Sequence, residues 1–476
     1  MEGTAALVAT LVAYQLLLLG IGAWAAGRTR DQADFFLGGR GLGAWVASLS
    51  AAASSSSAWT LLGVSGAAFE RGLSAVWILP ACLGGFALNW FLVAERLRRE
   101  SAGGGAVTLT EFLAEGAVGS ARRRIVRSAS AVVLLSLGTY VASQFKAAGV
   151  TFGESLGLDP APAILVGAGI VLLYTLSGGF WAVSVTDLVQ GLVMVGAAVL
   201  VPVAALVAAG GPAGVAAGLE RAGPEFADLF RGAGGPAALG LVIGYLGIGL
   251  GYPGQPHVVN RFMALRGPAE VRRGTWISLV WALLIYSGML VAGWSGRALV
   301  TELGDHEAVL LRLTHDLFPP AVAGLIVAAV LSAIMSTADS QLLVCGSAVA
   351  YDLAGADAGD RIRTSRLTVL AIGLAAVAAA LGIEQTIFSS VLFAWSGLGA
   401  AFGPLLLVRL WRGPVRPGFV LAAIWTGFLV TIYWFFTPAL KGRLYELVPA
   451  FAAAGLVALL GSRPRPHSAR SASTGA

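Results

Sequence analysis

The chain is a succession of apolar runs, each about as long as a bilayer is thick, and nothing else in it limits the fold as much. Crossing the hydrocarbon core as a helix takes about 20 apolar residues. Such runs recur at 5–26, 42–68, 73–94, 126–148, 160–178, 183–209, 236–256, 275–297, 319–345, 366–383, 386–409, 417–437 and 446–461, an expectation of thirteen crossings. Backbone groups find no water inside lipid, so each crossing should be helical. A membrane β-barrel would alternate polar and apolar residues over short segments, and these runs do not.

Composition agrees. Only 12% of residues are charged and 57% are hydrophobic, whereas a soluble domain carries about 25% charged residues. The deficit runs along the whole chain, so it is not one anchor on a soluble domain. The 64 glycines suit helices that pack closely in lipid. The sequence reads as all-α and as one polytopic domain over 1–461. The tail, 462–476, is rich in Ser, Arg and Pro and is expected to be disordered.

The formal charge of +6 does not point to nucleic acid, because the arginines fall between apolar runs rather than on one polar face. With the N-terminus outside, the inner segments hold 23 Arg and Lys residues and the outer ones 7. That bias follows the positive-inside rule and puts the C-terminus in the cytoplasm. Arg122, Arg123, Arg124 and Arg127 are expected to face anionic headgroups. Met1–Ala6 lacks a positive start and no cleavage site follows the first run, which is therefore read as a retained helix. Cys82 and Cys345 lie inside apolar runs and imply neither a disulfide framework nor a metal motif.

Two runs look broken. The second contains Ser48–Ser57, a stretch of Ser and Ala; the seventh contains Gly244–Pro256, rich in Gly and ending Pro-Gly-Gln-Pro. Gly and Pro weaken helices, and Ser can bond its own backbone. Small residues can merely permit close packing. Interrupted helices five apart, however, are the sequence pointer to a transporter's binding site.

The ninth run reads Leu331-Ser332-Ala333-Ile334-Met335-Ser336-Thr337-Ala338-Asp339-Ser340-Gln341. A carboxylate at that depth costs about 3 kcal/mol on insertion scales, and a small hard cation that prefers oxygen ligands could offset it. Ala333, Ser336 and Thr337 share a face through i, i+3, i+4 spacing. The alternative is that the hydroxyls bond back to their own helix. Asp187 is either a carboxylate favoured near a helix N-terminus or a cation ligand or gate. His257 is either a proton carrier or a structural histidine. Segment 302–318 reads as an external amphipathic helix or lid.

Taken together the motifs resemble the sodium:solute symporter family, its proline carriers above all. They are Phe36-Leu37-Gly38-Gly39-Arg40, Gly178-Gly179 with Thr186-Asp187 and Gln190, Gly251-Tyr252, and Gly254-Gln255-Pro256-His257 with Arg261-Phe262-Met263-Ala264. The last is Met335-Ser336-Thr337 with Gln341-Leu342-Leu343-Val344-Cys345. The resemblance implies a five-plus-five inverted-repeat core of the LeuT type, with repeats over about 42–209 and 236–409. It implies symport of a small solute such as proline by alternating access, in the cell membrane. It implies sodium held by the carbonyls of Ala53, Ser56 and Ala333 and the hydroxyls of Ser336 and Thr337, with Asp187 close by. Tyr140, Tyr252, Trp59 and Gln255 would meet the substrate.

Two positions depart from the proline carriers. Ser55 stands where they have an essential Asp, and Ile248 where they have Trp. Asp339 with Asp187 is expected to supply the charge that Ser55 lacks; one of them taking a proton would instead give proton coupling. The other class to weigh is a solute sensor that does not transport. No nucleophile–base pair or metal cluster suggests an enzyme, and no obligate protein partner is evident.

Overall fold

The computed structural model describes residues 2–26, 38–177, 180–354, 361–382, 384–441 and 443–463. Phe36, Leu37, Gly178, Gly179 and the tail beyond Arg463 lie outside them. The long helices are α1 Glu2–Ala26, α2 Ala44–Ser55, α3 Val64–Arg71, α4 Ile78–Ala87, α5 Gly119–Leu156, α6 Pro160–Ser177, α7 Phe180–Ala208 and α8 Gly235–Gly247. They continue with α9 Pro256–Met263, α10 Pro268–Leu299, α11 Val309–Leu317, α12 Pro320–Ser347, α13 Arg361–Ala380, α14 Ile387–Trp411, α15 Pro417–Phe436 and α16 Leu447–Gly461. The described residues contain no strand, only two isolated bridges.

Among the described residues, length and hydropathy mark 10 helices as able to cross a membrane, with Pro160–Leu176 and Leu447–Gly461 as shorter apolar helices. One of the ten, Trp59–Gly104, runs through 46 residues, about twice what the hydrocarbon requires. The chain turns within it at Gly72, where φ is +62° and a Cβ would lie 2.2 Å from the Phe226 carbonyl oxygen. Thirteen crossings need that segment to count twice and both shorter helices to span.

Burial separates centre from rim. In α12 and α14, 83% of the most apolar stretch is buried, against 17% in α1. Leu16, Leu173, Val207, Trp276 and Phe436 stay exposed, an apolar surface suited to lipid. The central α12 packs on α7, α5, α1 and α13, and α10 packs on α2, α3 and α7.

Both suspect helices are interrupted. α2 stops at Ser56, which leaves helical geometry at φ −115°, ψ 77°. Helix resumes past Ser57, whose Oγ accepts from the Trp59 N–H at 3.1 Å. After α8, a tighter 3-10 turn over Ile248–Gly254 ends at Gln255, extended at φ −93°, ψ 103°. Pro253 lacks an N–H to continue the ladder, and Pro256 starts α9 in the first-turn position that tolerates proline. Glycine is needed here for space: a Cβ on Gly251 would lie 1.9 Å from Trp395 Nε1.

The segment expected as an external amphipathic helix or lid is a short turn, His306–Ala308, followed by α11, whose inward face buries Val309, Leu310, Leu311 and Leu313. Glu307 is buried, and its carboxylate accepts from the Ile387 and Phe388 N–H groups at 2.7 and 2.6 Å. It thereby caps α14, whose first N–H groups have no partner within the helix. Burial pushes the Glu307 carboxyl above its usual range, while the two N–H bonds hold it down. Glu307→Gln sets an amide N–H against a backbone N–H and should weaken the closed lid by about 1–3 kcal/mol. The check is the thiol-labelling rate of a cysteine at Leu310, buried on the inward face of α11: faster in Glu307→Gln, whereas equal rates would refute the latch.

Candidate functional site

The first break and the middle of α12 meet in the core. Ser336 Oγ lies 3.3 Å from the Ala53 carbonyl and 3.4 Å from that of Ala333. Thr337 Oγ1 lies 3.5 Å from the Ala53 carbonyl and 3.2 Å from that of Ser54. These separations are at the long limit for O–H···O bonds. They match oxygens that share a cation: ligands at about 2.4 Å from an ion stand about 3.4 Å from one another. The arrangement can therefore hold a small hard cation. Ser56 turns its Oγ toward the Tyr286 hydroxyl at 3.4 Å, and its N–H bonds the Ala53 carbonyl at 3.1 Å.

Asp187 lies one layer away, fully buried on α7. Its Oδ2 accepts from Ser50 Oγ at 2.6 Å, Ser54 Oγ at 3.2 Å and Arg261 Nη2 at 3.1 Å. Arg261, on α9, is itself only 1% exposed. It also donates to Ser50 Oγ at 3.0 Å, to Ser340 Oγ at 2.5 Å and to the His257 carbonyl. Asp339 Oδ1 accepts from Ser340 Oγ at 3.2 Å. Asp187 Oδ1 and Asp339 Oδ2 have no hydrogen-bond partner. Two buried carboxylates and one guanidinium leave one surplus negative charge if all are ionised.

Arg261 corrects the sequence reading. It counted there among inner-face charges, but here its guanidinium joins α2, α7, α9 and α12. Chain position reports a charge, not the direction in which a helix aims it. Ser55, the first departure, bonds back to the Ala52 carbonyl at 2.9 Å.

The predicted substrate residues line the same region. Trp59 packs its ring 5.4 Å from Phe388 and 6.3 Å from Tyr286. Tyr140 donates to Ser57 Oγ at 3.2 Å and stands edge-on to the buried His257 ring at 6.2 Å. Tyr252 shares a hydrogen bond with the Tyr286 hydroxyl at 3.0 Å and packs against Phe86 and Trp395 at 5.1 and 4.8 Å. Gln255 donates through Nε2 to the Gly251 and Trp395 carbonyls, each at 3.1 Å. Trp395 carries an aromatic wall that the sequence reading missed. Its indole N–H donates to the carbonyl of Ile248, the second departure, at 3.1 Å. An aromatic face against Tyr252 thus comes from α14 rather than from position 248. Behind Phe388 opens a cavity of about 810 Å³ lined by Arg71, Tyr245, Phe388, Tyr445 and Glu446, among others.

Discontinuous helices that bring backbone carbonyls, hydroxyls and aromatic rings into the core mark a secondary transporter of the LeuT type. Solved structures of that fold superpose on the chain. A sodium-coupled sialic acid symporter in a substrate-bound outward-open state matches over 97% of this chain and 99% of its own, with TM-score 0.79 at 18% identity. The nucleobase-cation-symport-1 transporter Mhp1, with bromovinylhydantoin bound, matches over 91% and 95%, with TM-score 0.56 at 13% identity.

Residues 35–427 match the model of the sodium:solute symporter family, and the chain belongs to that family. Among its relatives, the high-affinity proline transporter PutP of Bacillus subtilis is 38% identical over 92% of this chain and 93% of its own. The osmoregulated proline transporter OpuE of the same organism is 35% identical over 98% and 96%. The sodium/proline symporter of Escherichia coli is 36% identical over 95% and 92%. The chain is a multi-pass membrane transporter.

Proposed function

We propose that the protein carries proline, or a small solute of similar shape and charge, into the cell together with sodium. The observation that carries this reading is the convergence of the Ala53, Ser54 and Ala333 carbonyls with the Ser336 and Thr337 hydroxyls at one broken helix. The relatives' names support proline as the substrate.

Sodium binds at that cluster, with the Ser56 carbonyl completing the shell as α2 unwinds. Asp187 is held by Arg261, so Asp339 supplies the negative charge that Ser55 does not. The solute lies between the breaks, against Trp59, Tyr140 and Tyr252, with Gln255 at its edge. A four-helix bundle rocks against the remaining scaffold of the two repeats, about 42–209 and 236–409, and releases sodium and solute inward. The cavity behind Phe388 is the outer vestibule, Trp59 and Phe388 form its floor, and Glu307 latches its lid. N-terminus outside and C-terminus inside follow from the arginine bias.

Purified protein in proteoliposomes loaded with unlabelled proline tests the substrate. Labelled proline added outside with sodium should exchange inward, and a competitor panel should rank proline first. A panel in which another solute competes and proline does not would refute the assignment. A sensor would bind solute without moving it.

A further inference from the structure

Beside the first break lies a buried amide with one bonded and one unpartnered end. Gln144 sits on α5, one turn beyond Tyr140, and is fully buried. Its Oε1 accepts from the Ala58 N–H at 3.1 Å, at the point where helix resumes after the first break. A backbone N–H can only donate, so that bond fixes which way the amide is turned. The free end is Nε2, a donor with no acceptor. Next to Ala58, the indole Nε1 of Trp59 is a second buried donor with no acceptor. A buried donor left unsatisfied costs about 1–3 kcal/mol, so two at one helix start are expected to be met by something that accepts. The start of a half-helix adds the positive end of its dipole.

The opposite break shows the reverse polarity. Gln255 spends its Nε2 on the Gly251 and Trp395 carbonyls, so its free end is Oε1, an acceptor with no donor. Tyr140 and His257 link the elements that carry the two amides. Gln144 follows Tyr140 by one turn, and Gln255 lies two residues before His257, whose ring stands edge-on to Tyr140. Ser136, one turn before Tyr140, approaches Gly397 near Trp395, with a Cβ on Gly397 3.1 Å from its Oγ.

We infer that Gln144 is a substrate-binding residue that, with Trp59, receives the carboxylate of a zwitterionic solute, while the Gln255 carbonyl oxygen receives its ammonium. Two fixed, neutral amides of opposite polarity read a zwitterion without burying a further charge. This inference rests on the proposed function and sharpens it: the solute must carry a carboxylate.

The test uses binding of labelled L-proline to purified protein at saturating sodium, competed by L-proline and by L-prolinamide, which lacks the carboxylate. Wild type should prefer proline by about 100-fold or more. Gln144→Glu keeps an oxygen for the Ala58 N–H but exchanges the donor for a negative oxygen. It should lose most of that preference or reverse it. If Gln144→Glu does not fold, Gln144→Met removes the donor without adding charge and should cut the preference about tenfold. A preference that stays at the wild-type ratio in a folded variant overturns the inference and leaves the proline assignment standing. A wild type that binds neither compound overturns the assignment, and this inference with it.

Discussion

Arg261→Met is expected to produce a protein that unfolds well below the wild-type temperature, because it strands two carboxylates in a core that no longer holds a cationic side chain. Breaking a buried pair by removing one partner costs about 3–5 kcal/mol, a large share of a typical folding free energy of about 5–15 kcal/mol. The Asp187–Arg261 contact is such a pair, with both side chains buried and both bonded to Ser50. The doubly substituted Asp187→Asn, Arg261→Met protein restores the wild-type net charge of the cluster and should recover more than half of the loss. Thermal unfolding of the purified proteins in detergent measures both. A single variant as stable as wild type, or a double variant less stable than the single, would contradict the pairing.

Asp339→Asn is expected to act on the cation rather than on the fold. On the proposed reading Asp187 is neutralised by Arg261 and an ionised Asp339 carries the surplus charge, one turn from Ser336 on α12. Removing it should raise the sodium concentration for half-maximal proline binding about tenfold or more, where tenfold corresponds to about 1.4 kcal/mol. Thr337→Ala, which deletes one oxygen of the cluster, should shift it in the same direction. Proton coupling predicts the opposite pattern: Asp339→Asn would leave the sodium requirement unchanged and abolish the dependence of uptake on pH.

Much of the architecture was legible because bilayer thickness imposes a length on every crossing. The two breaks were legible because Ser54–Ser57 and Pro253–Pro256 contradict the apolar runs around them. The i, i+3, i+4 spacing of Ala333, Ser336 and Thr337 placed three oxygens on one face, and folding brings that face to Ala53. What the sequence hid are directions and long-range partners. Arg261 looked like a cytoplasmic charge because α9 is short and close to a basic loop, yet its guanidinium turns back into the core. Ile248 looked like the loss of an aromatic wall, but Trp395, some 150 residues later in the chain, packs against Tyr252. Gln144 was a lone amide in an apolar run. Its meaning emerges only when the break at Ala58 fixes one of its ends. The number of crossings depends on whether the stretch from Trp59 to Gly104, which turns at Gly72, counts twice and whether Pro160–Leu176 and Leu447–Gly461 span, which hydropathy does not decide.

The central claim is that a cation gathered by Ala53, Ala333, Ser336 and Thr337 drives the solute across. The most direct measurement is uptake of labelled proline into proteoliposomes at one fixed pH on both sides, with an inward sodium gradient or with none. Accumulation above the external concentration only when the sodium gradient is present is the predicted result. Uptake that ignores sodium and follows an imposed pH gradient would contradict it.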